Sequence, residues 1–184
     1  MKPSIVGAAI VLLLALGAAL SGQQKSERGC DFNLSGDRVV PNITGPEEVV
    51  AIAHVVDQRD SPITIVSADF KDSYVSISNE RFTQRLDCTL KVRNQSDRAV
   101  RSFQTSTGFI RDDSGIGGLS GFGGVPEMPA GRSLMPGEEL EFQGCGGTGH
   151  GGAPNNRVRL LVAIESVLLD GCAYMPSRRF PTHF

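Results

Sequence analysis

Arg85-Leu86-Asp87-Cys88-Thr89-Leu90-Lys91-Val92-Arg93 is the stretch on which the fold turns. In an extended chain Leu86, Cys88, Leu90 and Val92 point one way, and Asp87, Thr89, Lys91 and Arg93 point the other. Period-two alternation with one charged face marks a strand in a sheet packed on one side and wet on the other. Asn94-Gln95-Ser96-Asp97 follows as turn chemistry, because Asn, Ser and Asp side chains bond nearby backbone. Val100–Arg111 resumes as a strand with Phe103, Thr105, Thr107 and Phe109 on one face, and the two runs are expected to form a hairpin.

Working outward, residues 63–70 and Tyr74–Ser78 are two further short strands separated by Lys71-Asp72-Ser73. Met135-Pro136-Gly137 turns the chain into a strand over 139–142, with Leu140 and Phe142 inward. Val158–Leu169 is read two ways: Val158, Leu160, Val162 and Ile164 alternate as a strand does, whereas Leu160, Leu161, Ile164, Val167 and Leu168 make a helical stripe. The β-branched content and the Asp170-Gly171 turn into Cys172-Ala173-Tyr174-Met175 decide for strand, turn, strand. Residues 49–56 are a similar conflict. Thr44-Gly45-Pro46-Glu47 has the spacing of a helix capping box, but the β-branched residues that follow favour a strand, which is the reading taken.

Of the 22 glycines, 15 lie between Gly108 and Gly152. They define two glycine-rich loops, over residues 112–132 and 144–152, flanking one short strand; glycine at that density implies flexibility. At the N-terminus, Met1-Lys2-Pro3-Ser4 precedes the uncharged apolar run of residues 5–20, with small residues at Ala19 and Ser21. That is the pattern of a secretory signal cut near Ser21 and Gly22, and 16 residues fall short of the roughly 20 that span a bilayer. Removal would leave 17 basic against 20 acidic side chains, a net charge of −3 rather than −2. Such a balance excludes a strongly basic nucleic-acid binder, and no other run is long enough for a membrane span after cleavage. Tryptophan is absent and tyrosine occurs twice, which argues against stacking platforms for sugars or bases. The remaining chain of about 163 residues suffices for one domain.

Four cysteines, Cys30, Cys88, Cys145 and Cys172, remain after cleavage, with no C-x-x-C pair. An even count in an exported chain points to two disulfides, and three connectivities are open. Three sequons are present at Asn33, Asn42 and Asn94; in a glycosylating host they would be surface sites.

Motifs for chemistry are sparse. Gly144-Cys145-Gly146-Gly147-Thr148-Gly149 matches G-x-G-x-x-G, but His150-Gly151-Gly152-Ala153-Pro154 follows and no helix can start there to receive a pyrophosphate. Cys145 followed by His150 resembles the ligand loop of cupredoxins, with His54 as an upstream ligand; the axial methionine is missing, its place being Gly-Gly-Ala-Pro. The same Cys145–His150 pair is the basis of a thiol-enzyme alternative. No G-x-S-x-G elbow surrounds Ser114 or Ser120, and Asp112-Asp113-Ser114-Gly115 lacks the distal acid of a calcium loop. Glu138-Glu139 and Arg178-Arg179 are read as solvated charges, and His183 as part of a frayed tail.

Leu90-Lys91-Val92-Arg93-Asn94-Gln95-Ser96-Asp97-Arg98-Ala99-Val100 resembles the strand, N-x-S turn, strand core of bacterial exported immunoglobulin-like domains. Leu134-Met135-Pro136-Gly137-Glu138 is similar to their L-x-P-G-E turn, and Val167-Leu168-Leu169-Asp170-Gly171 to their final hairpin. The likeness covers roughly residues 62–176, in short motifs; the tryptophan and cysteine spacing of antibody domains are absent. It implies a mainly β, two-sheet immunoglobulin-like sandwich with a long glycine-rich loop and a less regular N-terminal arm. The expected organisation is a signal over 1–21, an arm over 22–61 and the sandwich over 62–184. In that topology residues 85–93 and 139–142 are antiparallel neighbours, which places Cys88 beside Cys145 and leaves Cys172 for Cys30. One difficulty accompanies this pairing: with Leu140 and Phe142 inward, strict alternation points Cys145 outward.

The expected function is therefore an exported, non-enzymatic binding or structural module, periplasmic, extracellular or on the cell surface. Its partner would be a protein or surface ligand, with no cofactor, no nucleic acid and no membrane after cleavage. A copper-type protein using Cys145, His150 and His54 and a small secreted thiol enzyme are the alternatives. Intact mass of the purified mature protein is expected to match cleavage near Ser21 and to rise by about 4 Da on reduction, one hydrogen per sulfur of two disulfides.

Overall fold

A computed structural model describes residues 30–79, 81–111, 131–152 and 158–177. The expected signal over 1–21, the acidic and glycine-rich segment 112–130, Arg178-Arg179 and His183 lie outside the described residues. The described chain is mainly β. Its elements are β1 (Asn42–Thr44), α1 (Glu47–Val50), β2 (Ala53–Val55), β3 (Ile63–Asp69), β4 (Tyr74–Ser78), β5 (Arg81–Asn94), β6 (Val100–Arg111), β7 (Glu139–Gly152), β8 (Val158–Leu169) and β9 (Cys172–Tyr174).

β5 is the spine of the first sheet. The alternation that opens at Leu86 runs the whole strand: Gln84, Leu86, Cys88, Leu90, Val92 and Asn94 are buried, and the residues between them are not. β7 pairs along one edge of β5, and β3 and β4 lie end to end along the other, all antiparallel. At the break between β3 and β4 the Ser73 hydroxyl replaces a backbone partner, accepting from the Asp87 amide at 2.8 Å and donating to the Asp87 carbonyl at 2.9 Å. β1 adds parallel to the far side of β3. In the second sheet β8 is central: β6 pairs antiparallel along one edge, while β2, parallel, and β9, antiparallel, share the other. A single core joins the sheets, with Leu86, Leu90 and Val92 from β5, Phe103 from β6, and Leu160, Val162 and Ile164 from β8. Each such side chain, fully buried, contributes about 1.5–3 kcal/mol. Phe103 meets Phe142 across the gap at 5.4 Å, edge to face.

The expected hairpin between β5 and β6 does not form. The two strands belong to different sheets, so residues 95–99 arch from one to the other. Turn chemistry states that the chain reverses; it does not state whether the partner is beside or above. Here both edges of β5 are already taken, and the apolar face of β6 is satisfied by looking back at β5. The arch is held by Asn94, which is 0 % exposed. Its amide nitrogen donates to the carbonyls of Arg98 and Leu134, both at 2.8 Å. Its side-chain oxygen accepts from the amide and the hydroxyl of Ser96. Asn94 is thus a fully used structural amide rather than the surface sequon expected of it.

The second glycine-rich loop is also corrected. Residues 144–152 continue β7 as a strand paired with β5. The glycines serve close approach: a Cβ at Gly144 would lie 2.1 Å from the Leu90 side chain, one at Gly149 2.7 Å from Gln84, and one at Gly151 2.7 Å from the Phe82 ring. A register shift falls between Cys88 and Thr89, which pair with Cys145 and Gln143. Gly144 is therefore the extra residue of a bulge, and the bulge resets the alternation so that Phe142 and Cys145 both face inward. This removes the parity difficulty at Cys145.

In β8 a similar register shift falls at Glu165, where Ile164 pairs with Thr105 and Ser166 with Gln104. Ile164 and Val167 consequently both face the core at a spacing of three, and Leu161 and Ala163 are buried on the opposite face with Val56 and Ile110. These two facts are the origin of the helix-like stripe. Residues 47–55 take both of the forms their sequence allows, a single helical turn and then a three-residue strand. The Thr44 capping box is not used: Pro46 is the N-cap, without a side-chain bond, and the Thr44 hydroxyl bonds Asp69 instead.

Substituting Gly144 by alanine overpacks the bulge against Leu90 and is expected to destabilise by about 1–3 kcal/mol. Asn94→Ala removes the acceptor of the Ser96 amide and one of two donors to each of the Arg98 and Leu134 carbonyls, and should lose roughly 2–3 kcal/mol. Urea unfolding followed by circular dichroism measures both, with the exposed Val40→Ala as the near-neutral reference.

Candidate functional site

The arm that precedes β1 is tied down through its backbone at both ends, and Arg38 in its middle reaches Asp57 at 4.0 Å. Leu34 bridges Ser96 and the Ser35 amide donates to the Gln95 carbonyl at 2.8 Å; after six intervening residues β1 begins its pairing, Asn42 opposite Ser67. Between these anchors residues 36–41 arch away as a strap. Gly36, at φ 77°, makes the first turn, and Pro41 has no N–H to extend the β1 ladder upstream. Val40 sits at the crest, 81 % exposed.

Under the strap lies a groove of about 470 Å³. Ile63 and Ile65 of β3 form one wall, and Val55, Val56 and Ile164 of the second sheet form the other. Val39, Val40 and Pro41 line it from the strap. Charge is confined to the rim, where Asp57 pairs with Arg59 at 3.1 Å and with Arg38 at 4.0 Å. Polar groups near the floor are occupied. The Gln58 side-chain amide acts as a strand residue toward β8, donating to the Ile164 carbonyl at 2.9 Å and accepting from the Ile164 amide at 2.7 Å. Gln95 donates to the carbonyl of the buried Ser61 at 2.6 Å. An apolar cleft of this size with a polar rim suits a small apolar ligand or a short extended segment. The arm residues that build it, Val39-Val40-Pro41, carry no chemical motif, and only their position opposite β3 and β2 makes them a wall.

A second cavity, about 460 Å³, lies at the end of the fold beside the arch, lined by Asn33, Asp97, Arg93 and Glu139 among others. Its charges hold the structure. Asp97 is kept below 3.8 first by the Asn33 backbone amide and then by the Asn33 side chain. Glu139 is held below 4.5 by hydrogen bonds from Arg93 and then Lys91. Glu138 is lowered first by the Met135 amide, with Arg132 adding to it. Glu138 and Glu139 are thus paired, not merely solvated. Near the groove, burial works to raise Asp60, but the amide and hydroxyl of Ser177 and the hydroxyl of Tyr174 outweigh it and leave Asp60 below 3.8.

All four cysteines are bonded, Cys88 to Cys145 and Cys30 to Cys172, with Cα separations of 5.1 and 5.7 Å. The first links neighbouring strands inside the core; the second pins the start of the arm to β9. Such pairs are compatible with an oxidising, exported location. Cys145 therefore offers no free thiolate, and no free cysteine exists to serve as nucleophile. His150 projects to the outer face of β7, opposite to Cys145, and His54 lies on β2 in the other sheet. Among the described residues no three His, Cys, Asp or Glu side chains converge on a metal-sized space. His54 instead contacts Arg159, Nε2 to guanidinium, at 3.0 Å. No protein-family model, curated protein or solved structure matches the chain.

Burial, followed by the Arg159 charge, pushes His54 below its ordinary 6.5, so the folded state holds it neutral. The unfolded chain then binds the proton more readily, and this contribution is complete above pH 6.5 and lost as pH falls below it toward the lowered folded value. Thermal unfolding of the wild type should show a drop in Tm between pH 7.5 and 5.5, and His54→Gln should flatten that drop.

Proposed function

We propose that this protein is an exported, non-enzymatic binding module built as an immunoglobulin-like sandwich, and that the strap-covered groove is its ligand site. The observation that carries the reading is the groove itself: a cleft with apolar walls and a charged rim at the edge between two sheets, closed over by a segment whose backbone is held only at its ends. The sandwich assignment draws on the layout. With β3 and β4 sharing one position and β2 and β9 sharing another, four strand positions face three, as in the smaller immunoglobulin-type sandwiches. The parallel pairing of β1 with β3 departs from that plan. Export draws on the two disulfides and on the sequence pattern before Gly22.

The environment-sensitive dye 1-anilinonaphthalene-8-sulfonate tests the site without knowledge of the natural ligand. The folded protein is expected to bind it, and the double variant Val39→Asp, Val40→Asp is expected to weaken binding by about tenfold or more through loss of apolar lining. Circular dichroism and Tm confirm that the variant remains folded. Equal dye binding by both proteins would move the site away from the groove.

A further inference from the structure

The strap has the properties of a cleavable segment. Its backbone is anchored at Ser35, whose amide bonds Gln95, and again at Asn42, where β1 begins to pair with β3. Among the described residues no backbone N–H or C=O of residues 36–41 forms a backbone hydrogen bond. Arg38 is the third of these six, so three free residues precede the Arg38–Val39 bond and three follow it. Gly36, Asp37, Arg38 and Val40 are exposed. The Arg38 side chain is 74 % exposed, and the Asp57 carboxylate it reaches at 4.0 Å is already engaged by Arg59 at 3.1 Å. An exposed contact of that kind holds a side chain only weakly.

We propose that the strap is a processing site at which a trypsin-like endopeptidase hydrolyses the Arg38–Val39 bond, and that the Cys30–Cys172 disulfide keeps the severed N-terminal piece on the protein. The step consumes one water. The amide C–N bond breaks, Arg38 gains the water oxygen and ends as a carboxylate, and Val39 takes both protons and ends as an ammonium. A peptidase binds its substrate extended across the bond it cuts, so a chain engaged in a ladder or a tight turn must open first, whereas an exposed free segment is cut directly. The other described basic residues lack that freedom. Those in β5, β6 and β8 are held by their ladders. Arg59 and Lys71 stand in turns closed by the Ser61 amide on the Gln58 carbonyl and the Ser73 amide on the Phe70 carbonyl. Each also precedes an aspartate, whose charge beside the bond opposes the anionic tetrahedral intermediate. The Arg98 guanidinium is spent on the carbonyls of Asp31 and Asp170. Arg132 lies two residues before Leu134, which is buried and bridged to Val100. After the cut, Cys30 stays on the piece removed and Cys172 on the body, so the two remain covalently joined. Hydrogen bonds from Asn33 to Asp97 add to the hold. The product is a two-chain form in which Val39-Val40-Pro41, a wall of the groove, hangs from β1 alone. The proposal does not depend on what the groove binds.

The probe is trypsin, in limited digestion of the full mature protein quenched at short times and read by N-terminal sequencing and mass spectrometry. The terminus Val39-Val40-Pro41-Asn42 is expected to appear at least about tenfold faster than any terminus after Arg59, Lys71, Arg98 or Arg132. The piece ending at Arg38 is expected to separate only on reduction. Arg38→Gln, which removes the basic side chain, and Val39→Pro, which keeps it but seals the bond, should each abolish that terminus, and Arg38→Lys should retain it. Gly144→Ala weakens the core far from the strap, so it should leave the rate after Arg38 within about twofold, because the cut proceeds from the folded state. Acceleration by about tenfold or more in Gly144→Ala would mean that the chain must unfold to be cut, and overturns the assignment. A terminus after Arg59, Lys71, Arg98 or Arg132 that appears as fast overturns it as well. Loss of the N-terminal piece without reduction overturns its retention by the disulfide.

Discussion

The pairing of β5 with β7 is the constraint on which the other features depend. β5 presents a row of bulky side chains to the core, and beside its first half β7 can lie close because the inward positions there carry no side chain. Gly147, Gly149 and Gly151 stand opposite Leu86, Gln84 and Phe82. A side chain at either of the last two would collide with its neighbour. The bulge at Gly144 then shifts the alternation by one, which turns Cys145 onto the face of Cys88 and lets the disulfide close inside the core. With β7 fixed on one edge of β5, and β3 with β4 on the other, β6 is left no place in this sheet and builds the second with β8.

That displacement sets the character of the two ends of the fold. At one end, residues 95–99 must cross between the sheets, and the backbone groups exposed by the crossing converge on the amide of Asn94. Along the open side, the chain before β1 must serve both layers. It touches the β5–β6 connection through Leu34 and Ser35, then β3 through β1, and after one helical turn it joins β8 through β2. The strap and its groove result from this path, because Gly36 and Pro41 prevent a continuous ladder between the anchors.

Much of the strand content was legible along the chain because period-two alternation survives folding: residues 85–93, Val100–Arg111 and Tyr74–Ser78 are strands in the structure as in the reading. The Asp170-Gly171 turn before Cys172 was legible too, through a residue that takes φ 84° without strain. What failed, failed for local reasons with distant causes. Glycine between 144 and 152 has the composition of a loop, and only the side chains opposite it on β5 make it a strand. The stripe in β8 looked helical because a bulge at Glu165 and burial on both faces disturb a two-residue period. Asn94 carries the signature of a surface sequon, yet its environment is assembled from Arg98 and from Leu134, which is 40 residues away. The groove was not legible, since no motif for ligand chemistry marks the residues that wall it.

By itself the sequence determined most of the strands, those with an undisturbed two-residue alternation, and that its cysteines come in an even number, because both follow from side-chain pattern within short windows. Tertiary structure alone decided which strands share a sheet, which way Cys145 faces, what the glycines are for and where an apolar cleft stays open. These depend on the volume and the edge that a distant strand presents, and a chain read in order holds no record of that until the two surfaces meet.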